Sequence, residues 1–439
     1  MKKIAFHTLG CKLNFAETST IARQFTEHGY QKVNFNEKAD IYVINTCSVT
    51  QKADKKSEQA VKKARNLNPD SKIIVVGCYA QLQPETLASI KGVDLILGHR
   101  EKFRAFDYIE KTISKKESPE IHTCKLNEIN NYHHAYSQGD RTRSFLKVQD
   151  GCDYFCTYCT IPFARGRSRN QEIKEIIKQA EKIAGAGIKE IILTGVNIGD
   201  FGKTTNESFL DLLKNLSKVK NIKRYRISSI EPDLLTSEII GFISQSEKFL
   251  PHFHIPLQSG CNDILDKMNR KYNRELFQDK VNQIRKKIPD AFIGVDVIVG
   301  FPGEDEKKFK ITEQFLQETD ASYYHVFPFS ERPNARAAKM NHKVPGHIIK
   351  KRARILQSLA EKKQKKFYRR HLGENRPVLF EHYNKEGKMF GFTDNYIKVE
   401  TNYNENLAET IKEVRLIDLN KHNNVEIQIK SQTNSNNQN

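Results

Sequence analysis

Short apolar runs alternate with amphipathic stretches along the first third of the chain. Residues 3–10, 40–46, 72–77 and 93–97 are rich in β-branched and other apolar side chains. Near-continuous runs of this length are typical of buried parallel strands. The stretches between them include residues 17–29 and 53–66, which have helical spacing and end at glycine or at Asn-Pro. This order predicts a small doubly wound parallel sheet.

The same alternation resumes on a larger scale between residues 144 and 371. The candidate strands are residues 145–148, 190–193, 225–228, 253–257, 292–299 and 323–329. Helical patterns lie between them, for example at residues 171–184 and 305–318. Six β-α units are fewer than the eight of a closed (β/α)8 barrel. We therefore predict a partial, TIM-like barrel whose open side admits a macromolecular substrate.

The pattern changes again after Gly373, following a basic helical stretch at residues 349–368. Short apolar runs separated by turns occur at residues 377–381, 389–392, 396–401, 410–416 and 425–429. Several short strands in succession predict a small β-barrel, a shape that commonly binds nucleic acid. The fold class is therefore a multidomain α/β protein.

These changes of pattern divide the chain into five parts. They are the doubly wound domain (residues 1–113), an interdomain linker (114–140), the partial barrel (141–370), the small β-barrel (371–432) and a tail (433–439). The linker is polar and irregular, and we expect its His133-His134 pair to be solvated, with no metal bound. The tail is rich in Ser, Asn and Gln, which is typical of disorder.

Composition and charge narrow the choice of partner. The 439 residues carry 72 Lys and Arg against 53 Asp and Glu, for a net charge of +19. Such an excess favours a polyanion, above all nucleic acid; an acidic membrane surface is the weaker alternative. We find no apolar run long enough to cross a bilayer, and Met1-Lys2-Lys3 leads directly into a predicted strand. We therefore expect a cytoplasmic protein without a membrane partner.

Three closely spaced cysteines mark the first candidate site. Cys152, Cys156 and Cys159 follow the predicted strand at residues 145–148, with three and then two residues between them. In a cytosolic chain of this size, metal binding or catalysis is more common than disulfides. Three thiolates on one loop suit a 4Fe-4S cluster that keeps one iron open to a small molecule. A zinc site is the alternative.

A second set of cysteines is dispersed in sequence. Cys11, Cys47 and Cys78 each follow one of the first three predicted strands. Ligands of open α/β sheets gather beyond the carboxyl ends of the strands, so these three thiols are expected to meet. We predict a second iron–sulfur cluster there, the alternative being three buried apolar side chains. Cys124 and Cys261 stand alone and are interpreted as ordinary side chains.

Polar and basic residues surround the first cysteine loop. The other predicted strands of the partial barrel end in polar or glycine-containing turns. Together these turns predict a ligand pocket that their residues line. Any one of them alone is equally consistent with turn chemistry. Arg165, Arg167 and Arg169 follow the loop closely, and we predict that they contact substrate phosphates. The alternative is solvated loop charge.

The cysteine loop followed by a partial barrel resembles the radical S-adenosylmethionine (SAM) superfamily. Together with Cys11, Cys47, Cys78 and the terminal barrel, it is similar to the methylthiotransferase family, whose three domains cover nearly all of this chain. That family ends in the RNA-binding TRAM module, whose core resembles residues 391–396. The resemblance implies two 4Fe-4S clusters, one binding SAM and the other presenting sulfur, and an electron donor such as flavodoxin or ferredoxin. It also implies a SAM pocket, for which the candidates are Gly195, Asn197, Ser229, Gln258 and Asp296.

The branches of this family differ in substrate. Two modify the tRNA adenosine just 3′ of the anticodon, position 37, which carries either an isopentenyl or a threonylcarbamoyl group; the third modifies an aspartate of ribosomal protein S12. Residues 8–14, 161–168 and 195–200 are most similar to the threonylcarbamoyladenosine branch. The expected reaction is therefore formation of 2-methylthio-N6-threonylcarbamoyladenosine in tRNA. Residues 332–336 depart from the family pattern, since Asn334 stands where Gly-Thr is expected after the proline.

Two alternatives from other classes remain open. One is an RNA-binding protein with structural zinc. The other is a redox-sensing iron–sulfur regulator that binds nucleic acid without catalysis.

Overall fold

The computed structural model describes residues 1–111, 118–139 and 141–429. The predicted tail at residues 433–439 lies outside them. The strands are β1 (Lys3–Thr8), β2 (Gln31–Val33), β3 (Ile41–Thr46), β4 (Lys72–Gly77), β5 (Leu95–Leu97), β6 (Glu120–His122), β7 (Ser144–Lys147), β8 (Glu190–Thr194), β9 (Arg224–Ile227), β10 (His252–Gln258), β11 (Phe292–Val299), β12 (Tyr323–Pro328), β13 (Asn375–Phe380), β14 (Lys388–Thr393), β15 (Lys398–Asn402), β16 (Ile411–Leu419) and β17 (Val425–Ile429).

The helices lie between these strands in the alternating order that the sequence predicts. They are α1 (Lys12–Glu27), α2 (Gln51–Leu67), α3 (Cys78–Leu82), α4 (Pro84–Ala88), α5 (Ala105–Lys111), α6 (Ile161–Arg165), α7 (Ile173–Gly185), α8 (Phe209–Leu216), α9 (Ser237–Gln245), α10 (Asn262–Lys267), α11 (Arg274–Lys287), α12 (Glu306–Glu318) and α13 (Gly346–Arg370).

The amino-terminal strands form the predicted parallel sheet, in the order β2-β1-β3-β4-β5-β6. Strands β3 and β4 are almost fully buried, as their near-continuous apolar sequences require. The edge strands β2 and β6 were not predicted. Each is three residues long and half-exposed or exposed, so neither has the apolar run that identifies the inner strands.

The predicted solvated linker is only partly solvated in its described part. Strand β6 pairs in parallel with β5, and Ile129 and Ala135 are buried. The His133 ring stacks on Phe103, with 4.6 Å between ring centroids. Segment 118–139 therefore packs against the amino-terminal domain and is not a free linker. Its polar composition gave no indication of these contacts.

The central strands form the predicted partial barrel. Sheets β7-β8-β9 and β10-β11-β12 are both parallel. Isolated parallel bridges join them at Tyr225 with Phe249 and at Ser229 with His254. The six strands thus follow one another in chain order, and apolar side chains from strands and helices form one large core around them.

The carboxyl-terminal strands close into the predicted small barrel, in the cyclic order β13-β14-β15-β17-β16. This barrel docks on the partial barrel through two buried arginines of β9. Arg226 donates to the carbonyls of Thr393 (2.6 Å) and Asp394 (2.9 Å), and Arg224 donates to the carbonyl of Pro377 (2.8 Å). Segment 391–396 therefore faces the central domain. No helix in the described ranges is long and apolar enough to span a membrane.

Candidate functional site

The dispersed cysteines meet at the carboxyl edge of the amino-terminal sheet. Cys11 precedes α1, Cys47 follows β3, and Cys78 is the first residue of α3. Gly10 has a φ of +101°, and a Cβ there would lie 3.0 Å from Cys47 Sγ, so only glycine leaves room for that thiol. Burial, together with the neighbouring Cys78 and Cys11 thiols, raises the pKa of Cys47 to about 12. The three thiols are near enough to one another to interact electrostatically.

The second set lies on the loop between β7 and α6. The Cys159 amide donates to the Cys156 carbonyl (3.0 Å), which keeps the loop compact. Burial raises the pKa of Cys159 to about 12, and it raises the pKa of Cys152 and Cys156 as well. Thiols in such surroundings are stable as thiolates only beside positive charge, and a bound metal supplies it. Both cysteine sets therefore fit a metal cluster.

The two cysteine loops are in direct contact. Thr160, next to Cys159, donates a hydrogen bond of 3.4 Å to the carbonyl of Ser48, next to Cys47. Arg332 donates to the Ser48 hydroxyl and pairs with Asp54, both at 2.7 Å. The loop that departs from the family pattern thus joins the central domain to the amino-terminal one.

A cavity of about 250 Å³ opens where these loops meet. Its walls come from both domains and from the ends of β10, β11 and β12. The lining residues are Val49, Thr50, Tyr158, Cys159, Thr160, Ile161, Gln258, Asp296, Ile298, Phe327, Pro328, Phe329 and Ser330. The cavity is mostly apolar, with a few polar groups, as is usual for small-molecule sites.

The candidates for a SAM pocket divide into two groups. Gln258 and Asp296 line the cavity together with Cys159. Gly195, Asn197 and Ser229 are not among the described lining residues. Because Gly195 has no side chain, Gln149 can pack against its backbone. Gln149 Oε1 accepts a hydrogen bond from the Asn197 amide (2.9 Å).

An arginine that sequence reasoning missed contacts the first cysteine loop. Arg270 Nη1 lies 3.0 Å from Cys156 Sγ, and its other nitrogen pairs with Glu231. Burial raises the pKa of Glu231 to about 7, although the Arg270 charge opposes this. Arg270 is 114 residues from Cys156 in sequence, and no local pattern connects them.

The structure corrects the prediction for two of the three arginines. Arg165 is 1% exposed, and Arg169 is also buried. Both pair with Asp150, at 3.1 and 3.2 Å, so neither can contact a phosphate in the folded protein. Of the three, only Arg167 has an exposed side chain (69%); its Nη1 lies 3.5 Å from Asp153 Oδ1, and its guanidinium lies 4.7 Å from the Phe155 ring centroid.

Arg165 belongs to a buried charge cluster between the two domains. Glu17 of α1 pairs with Lys102 (2.6 Å), Lys147 (3.4 Å) and Arg165 (2.9 Å). Burial disfavours the Glu17 carboxylate, but these three cations hold its pKa well below the ordinary range. Because the carboxylates already have cationic partners, this cluster is structural and does not form a metal site.

The isolated cysteines lie outside both sets. Cys261 is buried near Ile264, Met268 and Phe301. Cys124 is partly exposed, with its Sγ 4.0 Å from Gln81 Oε1.

Comparison with known proteins agrees with this architecture. The model of the uncharacterized protein family UPF0004 matches residues 3–98, and that of the Radical SAM superfamily matches residues 146–316. The radical SAM methyltransferase TsrM from Kitasatospora setae has a similar fold, with a TM-score of 0.55 and 13% identity, covering 74% of this chain and 73% of that one. The fold and the cysteine loop thus define a radical SAM protein.

Curated relatives show to which family of radical SAM proteins the chain belongs. Threonylcarbamoyladenosine tRNA methylthiotransferase MtaB from Bacillus subtilis is 39% identical over 95% of this chain and 94% of its own length. The protein of the same name from Aquifex aeolicus is 39% identical over 94% and 100%. A tRNA-2-methylthio-N(6)-dimethylallyladenosine synthase from Natranaerobius thermophilus is 33% identical over 83% of each chain. The chain belongs to the radical SAM methylthiotransferase family.

Proposed function

We propose that the protein converts N6-threonylcarbamoyladenosine at position 37 of tRNA into its 2-methylthio derivative, in the cytoplasm. The relatives that carry this activity in their names are 39% identical over nearly their whole length. Three relatives named for dimethylallyladenosine are less similar, at 30–33% identity over 83–96% of this chain. The net charge of +19 suits a tRNA substrate.

The observation that carries the proposal is the contact between the Cys47 loop and the Cys159 loop beside a cavity that Cys159 lines. We assign one 4Fe-4S cluster to Cys11, Cys47 and Cys78 and another to Cys152, Cys156 and Cys159. Three ligands for each cluster leave one iron open on each. When bound, the clusters and SAM supply the reducing electron, the sulfur and the methyl group. The protein supplies placement and exclusion of water.

Several side chains have positioning roles in this proposal. Gln258 and Asp296 offer the polar groups of the cavity wall to SAM, with Gly195, Asn197 and Ser229 as further candidates. Ile298, Phe327 and Phe329 keep water from the reacting atoms. Arg270 holds the first cysteine loop against the carboxyl end of β9 through its contacts with Cys156 and Glu231.

The substrate RNA and the electron donor approach from outside the cavity. Arg167, exposed beside Phe155, is suited to an RNA phosphate. The terminal barrel adds a surface groove around Phe390, which contains four lysines (Lys385, Lys388, Lys398 and Lys421) and three glutamates (Glu386, Glu400 and Glu426). Bases can stack on an aromatic ring framed by positive charge. An electron carrier such as flavodoxin or ferredoxin completes the system.

Three measurements test the proposal together. Anaerobically reconstituted protein should hold about eight iron atoms per chain, and it should cleave SAM to 5′-deoxyadenosine when dithionite is added. The tRNA of a strain lacking the protein should contain N6-threonylcarbamoyladenosine without the methylthio group. A colourless zinc protein, no SAM cleavage, or unchanged methylthiolated nucleoside in that strain would each contradict it.

A further inference from the structure

Three polar side chains lie together on the strands of the partial barrel, and only one of them, Asp296, is among the residues singled out from the sequence. His254, Asp296 and His325 lie on the adjacent strands β10, β11 and β12. His254 Nε2 is 2.7 Å from Asp296 Oδ1, and the two histidine rings are 5.0 Å apart. Gly294 pairs with His254 across the sheet, and a Cβ added there would be in van der Waals contact with Phe292 (3.4 Å) and with His325 Nε2 (3.6 Å). We call the region bounded by His254, Asp296 and His325 the barrel chamber.

Lys12 brings a positive charge to the same chamber from the amino-terminal domain. It is the first residue of α1 and is partly buried. Its ammonium interacts electrostatically with Asp296, Tyr396 and Arg143. Within residues 1–111, 118–139 and 141–429, this ammonium makes no hydrogen bond or ion pair. A cation held in a protein interior without a bonded partner is well placed to receive an anionic group.

The barrel chamber and the cavity at the cysteine loops share one wall residue, Asp296. Asp296 accepts a hydrogen bond from His254 in the chamber, and it also lines the cavity beside Cys159. A base bound at the cavity would therefore lie next to the chamber, with Asp296 between them.

We infer that the barrel chamber binds the carboxylate-bearing substituent of the substrate base, with Lys12 facing the carboxylate and His325 bonding to a hydroxyl or to the urea group. This inference rests on the proposed function and names the residues that select its substrate. Burial lowers the pKa of His325 to about 4, so its neutral ring offers one donor and one acceptor at neutral pH.

The chamber also explains how a dimethylallyl substituent is rejected. That group is apolar and cannot bond to Lys12, Asp296 or the histidines. Binding it would strip these groups of water without replacing the lost hydrogen bonds. Sites built to bond a polar substituent discriminate strongly against analogues that lack it.

The test varies the enzyme and the substrate together. Reconstituted protein is assayed on anticodon stem-loop RNAs carrying N6-threonylcarbamoyladenosine, the same nucleoside with its carboxylate converted to a carboxamide, or dimethylallyladenosine. The variants are Lys12→Gln and His325→Phe. Their matched controls are Lys38→Gln and His347→Gln, which change exposed side chains of the same types elsewhere on the surface.

We expect wild-type kcat/KM to fall about 10- to 100-fold from the carboxylate to the carboxamide RNA, since one charged hydrogen bond is lost. Lys12→Gln should lose a similar factor on the carboxylate RNA and show no further loss on the carboxamide RNA. His325→Phe should lower the ratio of kcat/KM for threonylcarbamoyladenosine RNA to kcat/KM for dimethylallyladenosine RNA. Iron content and SAM cleavage should match those of wild type in every variant.

The contrary outcomes separate the two proposals. Equal losses on carboxylate and carboxamide RNA in Lys12→Gln would indicate general damage next to Cys11 and overturn the inference. Unchanged kinetics would overturn it too, as would a stoichiometric zinc or manganese ion that disappears in His325→Phe. If wild type cleaves SAM but converts only dimethylallyladenosine, the proposed function itself fails.

Discussion

Arg165 and Glu17 form a two-pronged ion pair that joins the central domain to the amino-terminal one. Arg165 Nη1 and Nη2 lie 2.9 and 3.0 Å from the two Glu17 carboxylate oxygens, and both side chains are fully buried. Arg165 Nη2 also donates to Asn14 Oδ1 (2.6 Å), and Asn14 Nδ2 donates to the carbonyls of Leu9 and Thr46. One guanidinium thus links the helix after Cys159 to the loops that carry Cys11 and Cys47.

Arg165→Gln should destabilise the protein strongly, because it leaves the Glu17 carboxylate short of a partner in a buried site. Breaking one side of a buried pair costs about 3–5 kcal/mol. Thermal unfolding of the reconstituted protein measures the loss. Arg167→Gln, two residues away but exposed, is the matched control and should unfold near the wild-type temperature. Similar unfolding temperatures for both variants would contradict the role given to Arg165.

Arg167→Gln should instead weaken RNA binding. Loss of one phosphate contact should reduce the slope of log K against log salt concentration by about one. Fluorescence anisotropy with an anticodon stem-loop RNA over a series of salt concentrations measures this slope. SAM cleavage without RNA should stay unchanged. An unaltered slope would mean that Arg167 is only a solvated charge stacked on Phe155.

Removing one cysteine from either set should halve the iron content of the protein. Cys47→Ser and Cys152→Ser should each retain about four of the eight iron atoms expected from two clusters. Cys47→Ser should still cleave SAM, whereas Cys152→Ser should not, because only the second set is assigned to SAM. Cys124→Ser serves as the control and should keep full iron. Loss of iron in that control would disprove the assignment of ligands.

Glu304→Gln should change the pH dependence of stability. Glu304 Oε1 accepts from the Gly300 amide and from Arg352, both at 2.9 Å, and burial raises its pKa from 4.5 to about 7 despite these donors. The folded protein then holds this proton more tightly than the unfolded chain does. The resulting stabilisation is complete below about pH 4.5 and is lost as the pH rises through 7.

Glutamine keeps the accepting oxygen but cannot ionise. The unfolding temperature of Glu304→Gln relative to wild type should therefore rise between pH 5 and pH 8. Circular dichroism melts in matched buffers measure the difference. A constant offset over that range would show that Glu304 keeps its charge in the folded protein.

The local patterns of the chain were enough to predict most of the architecture. Buried parallel strands need continuous apolar runs, and β3, β4 and β11 have them, so their positions were readable from neighbouring residues alone. Edge strands β2 and β6 have no such run because one side of each faces solvent. They become strands only because they form backbone hydrogen bonds with β1 and β5.

The sequence by itself determined the order of the three domains and the two cysteine sets. Strand ends and ligand spacing can be read from residues that are close together in the chain. Only the tertiary structure decided which charges are buried. Arg165, Arg167 and Arg169 look alike in sequence, yet two of them pair with Asp150 and one faces solvent. Arg270 beside Cys156, and Lys12 near Asp296, likewise depend on segments far apart in the chain. The burial and charge of a side chain are set by its neighbours in space, and a linear pattern does not contain them.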